Sequence, residues 1–147
     1  MKSATIEKAI NILIADDDID DQMLLRDGFI EANIPASFGF ASDGEELLEM
    51  LRKPGAVHKK GVDLVILDLN MPRMDGLEAL DSLRSDPELE ETAVIVLSTS
   101  DNPQDSRRCI QLGALDYLGK PNSGDGYATL ASSIYNAWLA KGITPDA

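Results

Sequence analysis

Aromatic side chains make up only 5% of the 147 residues, with one Trp, three Tyr and three Phe. A core must therefore be built mainly from Leu, Ile, Val and Ala. Basic residues are half as frequent as acidic ones: 13 Lys and Arg stand against 26 Asp and Glu, a formal net charge of −13. That shortage argues against nucleic acid as a partner, since affinity there rests on cationic neutralisation of phosphates, and it disfavours an anionic membrane surface. Cysteine occurs once, as Cys109, so no internal disulfide can form and the thiol fits a reducing compartment. No apolar run approaches the roughly 20 residues of a membrane span, and no signal-peptide h-region opens the chain. The one histidine, His58, has no metal-ligating residue spaced near it. What these absences leave is an acidic, cytoplasmic α/β domain with length for one sizeable core.

What is present is a strict alternation. Short apolar runs at Ile10–Ala15, Ala36–Ala41, Val62–Leu69, Ala93–Ser98 and Leu115–Leu118 are separated by helical patterns. The first, third and fourth runs are the most apolar, as central parallel strands should be. The second, ASFGFA, reads as an edge strand. Asp43–Glu46 and Asp75–Glu78 have capping-box spacing before the leucine faces Leu47/Leu48/Leu51 and Leu77/Leu80/Leu83. Leu25, Phe29 and Ala32 mark the first helix, which carries Gly28 at a cost of about 1 kcal/mol. A short, poorly patterned helix is expected around Pro103–Leu112. The last helix shows the stripe Tyr127, Leu130, Ala131, Ile134 and Trp138, with Trp138 read as core or as part of a partner face. The loop Lys53–Gly61 reads as a solvated turn. Right-handed crossovers then imply a parallel sheet with helices on both faces.

In such a sheet the carboxyl ends of the strands share one edge, where open α/β folds place their chemistry. The first run ends in Asp16, Asp17 and Asp18, the third in Asp68, the fourth in Ser98, and the fifth runs into Lys120. Acids after a strand often cap the next helix, and Asp18 and Asp20 suit that role. A cap does not require the adjacent pair Asp16 and Asp17. Close carboxylates raise one another's pKa values, and a hard divalent cation relieves the repulsion. Mg²⁺ held by such a group, with a hydroxyl at Ser98 and an ammonium at Lys120, suits phosphoryl transfer to Asp68.

These segments, ILIADDD at 12–18, VILDLNMPRMDG at 65–76, VIVLSTS at 94–100 and DYLGKP at 116–121, resemble the receiver domain of bacterial two-component response regulators. The resemblance runs from Ile10 to about Leu139. It implies the doubly wound CheY-like fold, strand order 2-1-3-4-5, with five helices. It implies that Asp68 is the phosphoacceptor, and that Asp16, Asp17, Asp68 and the backbone carbonyl of Asn70 hold Mg²⁺. Ser98 corresponds to the switch hydroxyl, Tyr117 to the aromatic coupled to it, and Lys120 to the lysine contacting the phosphoryl group. The Lys120–Pro121 bond is expected to be cis. Residues 1–147 are expected to form one receiver domain, core about 10–140, without an output domain.

SDPELEETAVIVLSTSDNPQD and SSIYNAWLA look like stand-alone receivers of the bacteriophytochrome-associated kind, although the ending KGITPDA lacks the longer hydrophobic tail of some relatives. The implied partners are a sensor histidine kinase, with a bacteriophytochrome as one candidate, or a phosphotransfer protein, and an unnamed downstream protein. A homodimer is left open. The domain is expected to be a signalling domain and not an enzyme, apart from weak self-phosphorylation and slow self-dephosphorylation. A phosphate sink or relay, or a constitutive scaffold, are the alternatives within the family. Outside it, an aspartyl-phosphate phosphatase would carry a second acid two residues after the nucleophile, where this chain has Asn70. A flavodoxin-like cofactor binder would need a glycine-rich phosphate loop where Asp16–Asp18 stand.

Overall fold

The computed structural model describes residues 9–53, 61–71, 74–100 and 102–140. Five parallel strands, β1 (Ile10–Ala15), β2 (Ala36–Ala41), β3 (Leu64–Asp68), β4 (Val94–Ser98) and β5 (Asp116–Gly119), form one sheet in the order β2-β1-β3-β4-β5. Between and after them run α1 (Ile19–Glu31), α2 (Gly44–Leu51), α3 (Gly76–Ser85), α4 (Pro103–Gln111) and α5 (Tyr127–Ala140). The strand order and the edge position of β2 agree with the expectation. So does α4, one residue shorter than expected. The expected turn at 54–60, with His58, and the ending at 141–147 lie outside the described residues.

Side-chain alternation along the three central strands sorts their residues between two cores. Leu13, Ala15, Val65, Leu67, Val94 and Val96 face the side covered by α2, α3 and α4. Ile12, Ile14, Leu64, Ile66, Ile95 and Leu97 face α1 and α5. Every residue of β3 and β4 is buried, which is why those runs read as continuously apolar and not as alternating. Trp138 is fully buried in the second core, so the core reading holds. Its indole Nε1 has no hydrogen-bond partner among the described residues.

The helix starts are set by short polar side chains. Asp18 caps α1, accepting from the N–H groups of Asp20 and Asp21. Asp75 and Glu78 form a reciprocal capping box on α3. At α2, Asp43 accepts from the Glu46 N–H, but the Glu46 carboxylate reaches one residue further back, to the Ser42 N–H at 2.7 Å. The same spacing thus gives one full box and one stretched one.

Gly28 explains a glycine that costs α1 helical propensity. A Cβ at this position would collide with the backbone carbonyl of Tyr127, with the carbonyl carbon only 2.7 Å away. The close approach of α1 to the start of α5 depends on it. Gly28→Ala is therefore expected to lower stability by about 1–3 kcal/mol, as overpacking does, although alanine at an open helical position would gain about 1 kcal/mol. Urea unfolding measures this; an unchanged or raised midpoint would contradict the packing account.

Candidate phosphoacceptor site

The sheet edge collects the residues singled out in the sequence because each follows directly from a buried strand. Asp68 is the last residue of β3, paired in register with Leu97 of β4. Asp16 follows β1, its N–H donating to the Ala41 carbonyl at the end of β2. Lys120 follows β5, its N–H donating to the Ser98 carbonyl at the end of β4. Gly76 lets α3 close on this edge, since a Cβ there would stand 2.6 Å from the Asp68 carbonyl oxygen.

Lys120 is the centre of the charge arrangement. Its Nζ lies 2.9 Å from Asp16 Oδ2, 2.9 Å from Asp21 Oδ2 and 3.5 Å from Asp68 Oδ2. The other oxygens are engaged by backbone: Asp16 Oδ1 accepts from the Asp18 N–H at 2.9 Å, and Asp68 Oδ1 from the Asn70 N–H at 3.4 Å. Asp17 is exposed, and its carboxylate joins those of Asp16 and Asp68 with ligand atoms all within 4.8 Å of one another.

Desolvation dominates the electrostatics. Burial, followed by repulsion from Asp16, pushes the Asp68 carboxyl up to about 6, against the opposing pull of Lys120. Burial likewise raises Asp16, although the Lys120 hydrogen bond works against it. Burial would lower the ammonium of Lys120, but its hydrogen bonds to Asp16 and Asp21 overcome this and raise it. Among the described residues, one cation thus serves a pocket with an excess of carboxylates. Hard oxygen donors, crowded and under-neutralised, fit a magnesium ion.

The Lys120–Pro121 peptide is trans, contrary to the expectation, and no cis bond occurs among the described residues. Trans is favoured even before proline by about 0.5–1 kcal/mol, and Lys120 reaches its carboxylate partners from that geometry.

Ser98 is buried at the end of β4, its Oγ accepting from the Ser100 N–H at 2.9 Å. The Tyr117 hydroxyl donates to the Ser100 carbonyl at 3.3 Å. Ser100 therefore links the two residues by its own backbone. Its hydroxyl donates to Asp105 at 2.9 Å, which fixes the loop to the first turn of α4.

Two residues in this arrangement escaped the sequence reading. Asp21 lies in the acidic first turn of α1, where the helix dipole alone would account for it. Gln22 is buried, and its Nε2 donates to the Asp16 carbonyl at 2.7 Å. Its signal was a polar residue three positions before Leu25 on the apolar face of α1.

The family model of the response regulator receiver domain matches residues 12–130. This chain belongs to that family. It is 29% identical over 133 residues to the probable chemotaxis protein CheY of Rhizobium etli, covering 90% of this chain and 98% of the relative. By contrast, it spans only 23% of a probable cyclic di-GMP phosphodiesterase of Vibrio cholerae, to which it is 35% identical over 113 residues, or 76% of this chain. The crystal structure of the phosphorylated cyanobacterial phytochrome response regulator RcpA superposes with a TM-score of 0.80 at 29% identity, covering 94% of this chain and 99% of RcpA. The Mn²⁺-bound form of response regulator Rcp1 gives 0.75 at 27% identity, covering 88% and 94%. Phosphorylation and magnesium dependence are general to receiver domains. Among the described residues no helix is long and apolar enough to cross a membrane.

The raised Asp68 carboxyl has a consequence for stability. Between about pH 4, where an unfolded Asp titrates, and about pH 6, the folded protein holds the proton that the unfolded chain has lost. Stability therefore falls as pH rises through that window. Asp68→Asn is expected to raise the metal-free melting temperature at pH 7 by several degrees, equivalent to about 3 kcal/mol. The difference should shrink towards pH 4. Thermal unfolding at both pH values measures it, and a variant no more stable at pH 7 would contradict the account.

Proposed function

We propose that this chain works as a single-domain response regulator, with residues 10–140 as one receiver unit and Asp68 as its phosphoacceptor. The observation that carries the reading is the meeting of Asp16, Asp17 and Asp68 with the Lys120 ammonium at one sheet edge. A carboxylate oxygen of Asp68 bonds to the phosphorus of a phosphohistidine. The phosphorus–nitrogen bond breaks, and its electron pair returns to the imidazole. No strong base is needed, so positioning and charge neutralisation carry the step. Asp16, Asp17, Asp68 and the Asn70 carbonyl would hold Mg²⁺, which supplies positive charge against the incoming phosphoryl oxygens. Lys120 supplies a second positive charge from the end of β5, on the same sheet edge.

The new phosphoryl oxygens offer acceptors to Lys120 and to the Ser98 hydroxyl. Ser98 turning towards them gives up the Ser100 N–H, and the Tyr117–Ser100 contact carries that change to the surface of β5 and α4. The output is then a protein contact on that surface. The likeness to the phytochrome response regulator RcpA makes a bacteriophytochrome histidine kinase the first donor to test. Cytoplasmic location and a signalling rather than a turnover role accompany this reading.

Wild-type protein incubated with acetyl phosphate and Mg²⁺ is expected to gain one phosphoryl group by intact-mass spectrometry. Asp68→Asn and a chelator-treated sample should gain none, and equal labelling of Asp68→Asn would overturn the assignment. Magnesium should also stabilise the wild type by mass action, about 2.7 kcal/mol at one hundred times the dissociation constant. A melting temperature insensitive to millimolar Mg²⁺ would count against the metal group.

A further inference from the structure

Asp21 is a fourth carboxylate at this site, and it differs from the others in one respect. Asp16 and Asp68 belong to the group whose oxygens converge for a metal; Asp21 does not. It comes from the first turn of α1, with its side chain 28% exposed, and takes a full 2.9 Å hydrogen bond from Lys120 across 99 residues of sequence. The close α1–α5 packing allowed by Gly28 holds α1 beside the segment that follows Lys120.

Lys120 can donate three hydrogen bonds. In the metal-free pocket they are directed at Asp16, Asp21 and, at longer range, Asp68. Asp16 and Asp68 cannot serve both a divalent cation and the ammonium fully. Each already has one oxygen engaged by a backbone N–H, so the oxygen facing Lys120 is the one left for a metal. Once those oxygens are drawn to a metal, the ammonium also meets a like charge. Asp21 is then the carboxylate still able to hold Lys120 at the strand edge.

We propose that Asp21 is a positioning residue: it keeps the Lys120 ammonium beside Asp68 when Asp16 and Asp68 are committed to the metal, ready to meet the arriving phosphoryl group. The inference rests on the receiver reading and adds a residue to it. In the step concerned, Asp68 gains the phosphoryl, acetate leaves with the electron pair of the broken phosphorus–oxygen bond, and Asp21 bonds to neither.

The test combines a spectroscopic signature with a rate. Nitrogen-15 spectra of lysine ammonium groups detect those held by hydrogen bonds, and the Lys120 signal is assigned by its loss in Lys120→Met. In the wild type this signal should persist at saturating Mg²⁺. In Asp21→Asn it should persist without metal, through Asp16, and disappear with Mg²⁺. Phosphorylation by acetyl phosphate at saturating Mg²⁺ should be slower by about tenfold in Asp21→Asn, a moderate cost for a misplaced group. Asp27→Asn, the same charge change on the exposed face of α1 beside Arg26, should match the wild type in both measurements. Should Asp21→Asn not fold, Asp21→Ser reads the same two quantities. A Lys120 signal that survives Mg²⁺ in the variant, or a phosphorylation rate equal to wild type, overturns the proposal. Wild-type protein that takes up no phosphoryl group at all overturns the receiver reading as well, so the two failures are distinct.

Discussion

Negative charge held out of water at one edge of the sheet is the constraint on which the rest of this structure depends. Asp16 and Asp68 are both buried, and burial is the largest influence raising each. A buried carboxylate is tolerated only when paired and hydrogen-bonded. Lys120 provides the pairing and the backbone N–H groups of Asp18 and Asn70 the hydrogen bonds. Among the described residues the compensation is incomplete, because one ammonium is divided among Asp16, Asp21 and Asp68. A pocket left electrostatically short of positive charge is one that a cation completes.

The fold supplies the rigidity this arrangement needs. β3 and β4 are buried along their whole length, and their alternating side chains lock into two separate cores, so Asp68 and Ser98 cannot drift relative to each other. Where helices must approach the edge closely, glycine makes room, at Gly76 against the Asp68 backbone and at Gly28 against Tyr127. At the β4–α4 connection, individual hydrogen bonds join Ser98, Tyr117 and Asp105 to Ser100. A rigidly placed Asp68 beside a connection held by individual hydrogen bonds is a sound basis for a two-state response.

Much of this was legible in the sequence, for identifiable reasons. Uninterrupted apolar runs marked β3 and β4 because strands buried on both faces have no polar side to show. The order of strand-end residues brought Asp16, Asp17, Asp68, Ser98 and Lys120 together because parallel topology leaves few alternatives. Asp21 was hidden because an acid in a first helical turn needs no further explanation, and its partner lies 99 residues away. The stretched capping at Asp43 was equally hidden, since spacing alone does not say which backbone N–H a glutamate will reach. The trans Lys120–Pro121 bond departed from the family resemblance, and no feature of the sequence around it specified either isomer. The one-residue shift of β5, from Leu115–Leu118 to Asp116–Gly119, reflects an edge strand only partly buried, whose ends the hydrophobic pattern marks weakly.

The central claim is that Asp68, and no other carboxylate of this crowded edge, carries the phosphoryl group. Reduction by borohydride tests it most directly, because it converts an aspartyl phosphate, and no free carboxylate, to homoserine at the modified position. Protein treated with acetyl phosphate and Mg²⁺, reduced and mapped by peptide mass spectrometry, should show homoserine in place of Asp68 alone. Homoserine at Asp16, Asp17 or Asp21, or none at all, would contradict the account.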